Sequence, residues 1–194
     1  MEEKVCHYWF EPDVRFAGLK EMFKGFQKAL DVFIKTGEKH HGYYADFYFE
    51  ETELIYGVIL LSLQNYINKS CADFLEVELL SCDKAYQLYA KGSKVVIGEV
   101  TQIQLIIALA NYFKHKDGND KLHEHTIECL KKVDLLKFSE KIDNDREDTL
   151  IIEGLSLLIK DLRDVSNLLK IVKEWRTSLL DLCHELRRES LSCP

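Results

Sequence analysis

This sequence predicts an all-α fold, a single helical bundle of about six to eight helices spanning residues 1–194. Three observations carry that reading. Helix breakers are scarce, with 9 Gly and 2 Pro in 194 residues, and the two prolines lie near the chain ends at Pro12 and Pro194. Few breakers disfavour a turn-rich sheet protein and favour long helices. Apolar residues recur at helical spacing, most clearly along Leu168, Val172, Trp175, Leu179, Leu182 and Leu186, in steps of four and three. A hydrophobic fraction of 46% with 30% charged residues is ordinary globular composition, in a chain long enough to bury a sizeable core.

The elements follow in order. The first helix is expected after Pro12 with Asp13 near its N-cap. Leu19, Phe23, Phe26, Leu30 and Ile34 form its apolar face, and Gly37 is its stop. The aromatic run from His40 to Phe49 has no helical period and reads as a loop or short extended segment covering the bundle. A second helix is expected over about Thr52–Ile67, with Leu54, Val58, Leu61 and Asn65 on one face, and a third over about Asp73–Tyr89, ending at Gly92. Lys94–Ile97 reads as a short irregular link.

Thr101 opens the clearest helix. Thr101 and Gln104 form a capping box, in which each side chain satisfies an orphan amide at the helix start. Ile103, Ile106, Ile107, Ala110 and Tyr112 give this helix, which runs to about His115, wide apolar coverage and a central place. The polar run Lys116–Asp120 ends it. A shorter helix is expected near His123–Val133, an exposed acidic loop over Phe138–Asp148, and two closing helices over about Thr149–Leu162 and Ser166–Arg188. No repeat, low-complexity block or Pro/Gly/Ser linker divides the chain.

Charge narrows the function classes. Lys plus Arg total 26 against 33 Asp plus Glu, a net charge of −7. That balance argues against sequence-independent binding to nucleic acid or to an anionic membrane, both of which need a basic footprint. The N-terminal segment lacks a basic region followed by an apolar run, and the longest apolar stretches, Val58–Leu63 and Ile103–Ala110, are too short to span a bilayer. A cytoplasmic location is expected. The 6 cysteines have wide spacing and no C-x-x-C, so they read as reduced thiols, several of them in the core.

The common catalytic signatures are missing: no Gly-rich phosphate loop, no H-E-x-x-H and no G-x-S-x-G. His123-Glu-His125 with Cys129 raises the question of a metal. On a helix, His123 and His125 point to different faces while His125 and Cys129 share one, which leaves two ligands where structural zinc needs four. Solvated histidines are the expectation, with no metal and no cofactor.

The stretch Ala108–Lys116 at the end of the central helix is the most suggestive. Asn111 and His115 are four residues apart and share a helix face. The segment resembles the motif helix of the HEPN superfamily of small helical bundles, in which an Arg, a polar residue and a His cleave RNA. The resemblance places Asn111 at the polar position and His115 at the histidine, but Ala110 stands where the Arg belongs. An arginine holds the phosphorane-like transition state bidentately, and Lys114 would be a poorer point-charge substitute. The structural alternative is an interhelical hydrogen-bonded Asn111–His115 pair or a helix C-cap, and it is the one favoured.

An acidic helical domain without a complete active site is similar to the bacterial immunity proteins that neutralise contact-dependent or colicin-like nuclease toxins. That resemblance implies a stoichiometric complex with a basic nuclease domain, an RNase by preference, as a 1:1 monomer or a homodimer, and no catalysis by the chain itself. Two stretches are the candidate toxin-binding surface: Tyr43, Tyr44, Asp46, Phe47, Tyr48, Glu50, Glu51 and Glu53, where acids and aromatics interleave, and the loop with Asp143, Asp145, Glu147 and Asp148. The alternatives are a divergent ribonuclease using His115 and Asn111 with Lys114, and a helical adaptor.

Overall fold

In a computed structural model, residues 13–40, 43–76, 80, 82–116, 121–136 and 150–192 are described, with side chains from 51 to 76 in the second of these segments and to 188 in the last. The described elements are α1 (Val14–Gly37), α2 (Tyr43–Glu76), α3 (Ala85–Ala90), β1 (Val95–Ile97), β2 (Val100–Thr101), α4 (Gln102–His115), α5 (Glu124–Lys132), α6 (Leu150–Leu158) and α7 (Ser166–Ser192). Among the described residues the bundle is all-α apart from one small hairpin.

Helix α1 begins as its sequence dictates. Asp13 is the N-cap and accepts from the Phe16 amide at 3.1 Å. The same carboxylate accepts from the Tyr66 hydroxyl of α2 and lies 3.3 Å from Arg176 Nε of α7. Arg15 grips Asp73 of α2 with two hydrogen bonds. A local helix-start signal thus also fixes α1 against α2 and α7, through charge-assisted bonds of the stronger kind.

Helix α4 runs through the middle. Its start at Thr101 uses the capping box: the Gln104 amide donates to Thr101 Oγ1 at 3.3 Å, and the Thr101 amide donates to Gln104 Oε1 at 2.9 Å. Ile103, Leu105, Ile106, Leu109 and Ala110 have no exposed surface. They pack among α2 (Ile59, Leu60, Leu63, Ile67), α6 (Ile151, Leu155) and α7 (Leu168, Val172, Trp175, Leu179). Gly57 makes the α2–α4 approach possible, because a Cβ there would lie 2.1 Å from the Phe113 ring. Trp175 donates from its indole to the Leu88 carbonyl at 3.1 Å, tying α7 to α3 without leaving a buried N–H unpaired.

Several expected elements are corrected. The aromatic run after His40 is not a loop, since α2 starts at Tyr43 and continues unbroken to Glu76. The expected third helix over Asp73–Tyr89 is therefore divided: its first residues finish α2, and only Ala85–Ala90 form α3. The phase of α2 is also different. Leu54 is 57% and Val58 39% exposed, and the buried face is that of Tyr56, Ile59, Leu60, Leu63 and Ile67. Apolar residues lie on most sides of α2, so spacing alone does not phase it. The link at Lys94–Ile97 is strand β1, paired antiparallel with β2 across a turn in which Gly98 takes a φ of +57°, a conformation that favours glycine. The closing seam is spent within the chain at Leu168, Val172, Trp175 and Leu179, while Leu186 is 40% exposed. The expected acidic loop at Phe138–Asp148 lies outside the described residues.

No helix among the described residues is long and apolar enough to cross a membrane. Cys71 and Cys183 are buried, and Cys82 and Cys129 partly so, all four with free thiols.

Candidate functional site

The motif on α4 is built into the fold rather than into a cleft for phosphate. Asn111 accepts from Gln64 Nε2 of α2 at 2.7 Å and donates to Thr126 Oγ1 of α5 at 3.1 Å. One amide thereby bridges three helices. The expected partner of Asn111 is His115, whereas these hydrogen bonds join it to Gln64 and Thr126. His115, one turn further on, is partly buried and Lys114 is exposed. Ala110 has no exposed surface. The position that corresponds to a catalytic arginine therefore faces apolar core.

The candidate binding residues are distributed unevenly. Tyr43, Tyr44, Asp46, Phe47, Tyr48 and Glu50 fall on the first turns of α2, and their side chains lie outside the description. Asp143, Asp145, Glu147 and Asp148 lie outside the described residues. Glu51 is partly buried. Glu53 departs from the expected exposed surface: it is 5% exposed and its Oε1 lies 2.7 Å from Lys116 Nζ. A carboxylate at that depth needs a cation, and the end of α4 provides one.

A groove of about 350 Å³ lies beside Asn111, walled by α3, the β-hairpin, α4 and α5. It gathers residues singled out for other reasons, Asn111, His123, His125 and Cys129, together with Tyr86, Glu99 and Lys132, which sequence reasoning passed over. His123 is the N-cap of α5 and its Nδ1 accepts from the His125 amide at 3.3 Å. As the cap, His123 is not yet in the helical turn. Its ring therefore sits 5.2 Å from that of His125 instead of on an opposite face, a correction to the helical-wheel expectation. His125 in turn stacks on Tyr86, with centroids 5.8 Å apart and planes at 29°. No group of three or more His, Cys, Asp or Glu among the described residues is placed to hold a metal ion. Burial pushes the Cys129 thiol up to about 11, so at neutral pH it is neither nucleophile nor metal-ready thiolate.

The chain matches no family model, and no curated protein or solved structure shows significant similarity to it. The groove and the α4 network therefore rest on their own chemistry.

At the far wall of the groove, Lys132 Nζ lies 3.0 Å from Glu128 and 4.0 Å from Glu99. The hydrogen bond from Lys132 holds the Glu128 carboxyl below its usual range and the ammonium above its own. What the site offers is an aromatic and imidazole stack on one side and a carboxylate-rich rim on the other. It carries no assembled nucleophile–base pair among the described residues.

Proposed function

We propose that this chain is a cytoplasmic stoichiometric binding protein that neutralises a basic nuclease, an RNase toxin by preference, and does not itself cut nucleic acid. The observation that carries the reading is the environment of Ala110. With that position in the core, an RNA-cleaving constellation on α4 lacks the arginine for the transition state, Lys116 is taken up by Glu53, and Asn111 is engaged in holding α2 and α5. The net charge of −7 supplies the complementary half of the argument. A nuclease exposes a basic cleft for phosphate, and an acidic partner associates with it quickly and excludes the substrate.

The test pairs the purified chain with the product of the gene immediately upstream of its own, which this reading expects to be the nuclease. The expected outcome is a 1:1 complex in size-exclusion chromatography and full protection of RNA at stoichiometric ratio. Inhibition absent at tenfold excess overturns the reading. So does cleavage of total RNA by the chain alone that is lost in His115→Ala, which would establish the ribonuclease alternative.

A further inference from the structure

We propose that the groove between α3, the β-hairpin, α4 and α5 is a receptor for an arginine side chain presented by the partner protein. The inference rests on the reading of the chain as a binder of a basic protein and names the surface that does the binding.

Size is the first argument. A volume of about 350 Å³ is at the lower end for a ligand pocket. It has room for one long side chain entering from solvent. The aromatic wall is the second. Tyr86 is 51% exposed, yet its ring is held by stacking on His125, which packs beside the ring of the capping residue His123. A half-exposed ring already fixed in orientation loses little entropy on binding, which is the character of an interface anchor.

Charge is the third argument. Glu99 on the hairpin turn and Glu128 on α5 converge on a single ammonium, that of Lys132, so among the described residues the rim sets two carboxylates against one ammonium. The Glu99 side chain is 90% exposed and free to turn toward an incoming cation. A guanidinium is the cation that uses both walls together, because its plane lies on a tyrosine face while its N–H fork pairs with a carboxylate. An ammonium has the charge without the plane. A nucleotide has the plane, but brings its phosphate against Glu99 and Glu128.

The experiment titrates the full chain with N-acetyl-arginine amide, N-acetyl-lysine amide and AMP, followed by NMR shifts of the Tyr86, His123 and His125 rings. The expected result is saturable shifts at these rings with the arginine compound, with the lysine compound weaker by about three- to fivefold. AMP is expected to leave them unmoved. Tyr86→Ala and Glu99→Lys should each weaken arginine binding by a similar factor, and Glu38→Lys, at a distant surface pair with Arg163, should not change it. Tyr86→Leu keeps the apolar bulk, so its failure to bind separates loss of the π-face from loss of fold. Shifts outside the groove, equal binding of the lysine compound, or a response to AMP alone overturns the proposal. If the upstream nuclease is not inhibited while arginine still binds, the groove stands and the inhibitor reading falls. If inhibition survives Tyr86→Ala and Glu99→Lys unchanged, the reverse holds.

Discussion

Glu53 and Lys116 lie 2.7 Å apart, the glutamate side chain only 6% exposed and the lysine 18%. The pair joins the early part of α2 to the C-terminal end of α4, where a cation also complements the helix dipole. The Lys116 ammonium sits 5.5 Å from the centroid of the Phe113 ring, which itself packs into the space left by Gly57. Lys116→Ala leaves a buried carboxylate without this cation and is expected to cost about 3 kcal/mol in urea unfolding. Glu53→Leu with Lys116→Met should recover most of the loss, since an apolar pair of similar volume removes both desolvation penalties. A double variant no more stable than Lys116→Ala would show that the ion pair is not the source of the effect.

Glu53 also shows where sequence reading fails. A glutamate between Thr52 and Leu54, after an aromatic and acidic run, has the composition of a solvated surface, and nothing local signals that a lysine 63 residues later closes over it. The same holds for α2 as a whole. Its apolar residues wrap most of the circumference, so the choice of buried face depends on where α1 and α4 pack. By contrast, Thr101 with Gln104 and Asp13 before α1 were legible because a cap is a contact within four residues. The α4 motif was legible as a spacing, but its role depends on Gln64 and Thr126, which come from other helices. The groove was half legible: His123, His125, Cys129 and Asn111 stood out as residue types, while Tyr86 and Glu99 enter only because α3 and the hairpin fold against α5.

Asn111 is the polar link of three helices, and its removal leaves the Gln64 amide and the nearly buried Thr126 hydroxyl short of a partner. Asn111→Ala is expected to destabilise the protein by about 1–3 kcal/mol. Ala110→Arg, the substitution that would restore a HEPN-like pattern, should abolish cooperative thermal unfolding and confer no RNA cleavage, because it drives a charge into the core. A folded Ala110→Arg variant that cuts RNA would reverse the assignment of this helix.

Alkaline pH should destabilise the fold. Burial pushes the Cys71 thiol up to about 12, and the Tyr56 and Tyr89 hydroxyls also to about 12. Burial, and then the hydrogen bond to Asp13, raise Tyr66 as well. Each folded value lies above that of the unfolded chain, roughly 8.5 for a thiol and 10 for a tyrosine. The folded state therefore binds more protons in the alkaline range. Its advantage is complete below about pH 8.5 and is lost progressively as pH rises toward 12. Melting temperatures at constant ionic strength should be level across this effect's lower range and fall between about pH 9 and 11. Iodoacetamide should label Cys71 at pH 8 only as fast as the protein unfolds. Rapid labelling of Cys71 in the native protein would contradict the burial argument.

His123 is an unusual N-cap, since its Nδ1 accepts a hydrogen bond only when that nitrogen is unprotonated. Helix α5 is just nine residues long, Glu124–Lys132, and isolated helices of that length are marginal, so the cap and the packing of Thr126 and Leu130 decide whether its first turn forms. His123→Ala should cost about 1 kcal/mol, with the loss concentrated in hydrogen-exchange protection of the α5 amides. His123→Asp should restore or exceed the original protection, because a carboxylate is a better cap and complements the N-terminal end of the helix dipole. The two variants also separate the cap from the ring. If His123 serves the groove only by holding His125 in place, His123→Asp retains arginine binding while His123→Ala weakens it. If the imidazole face itself forms part of the wall, both variants weaken binding although only one destabilises the helix.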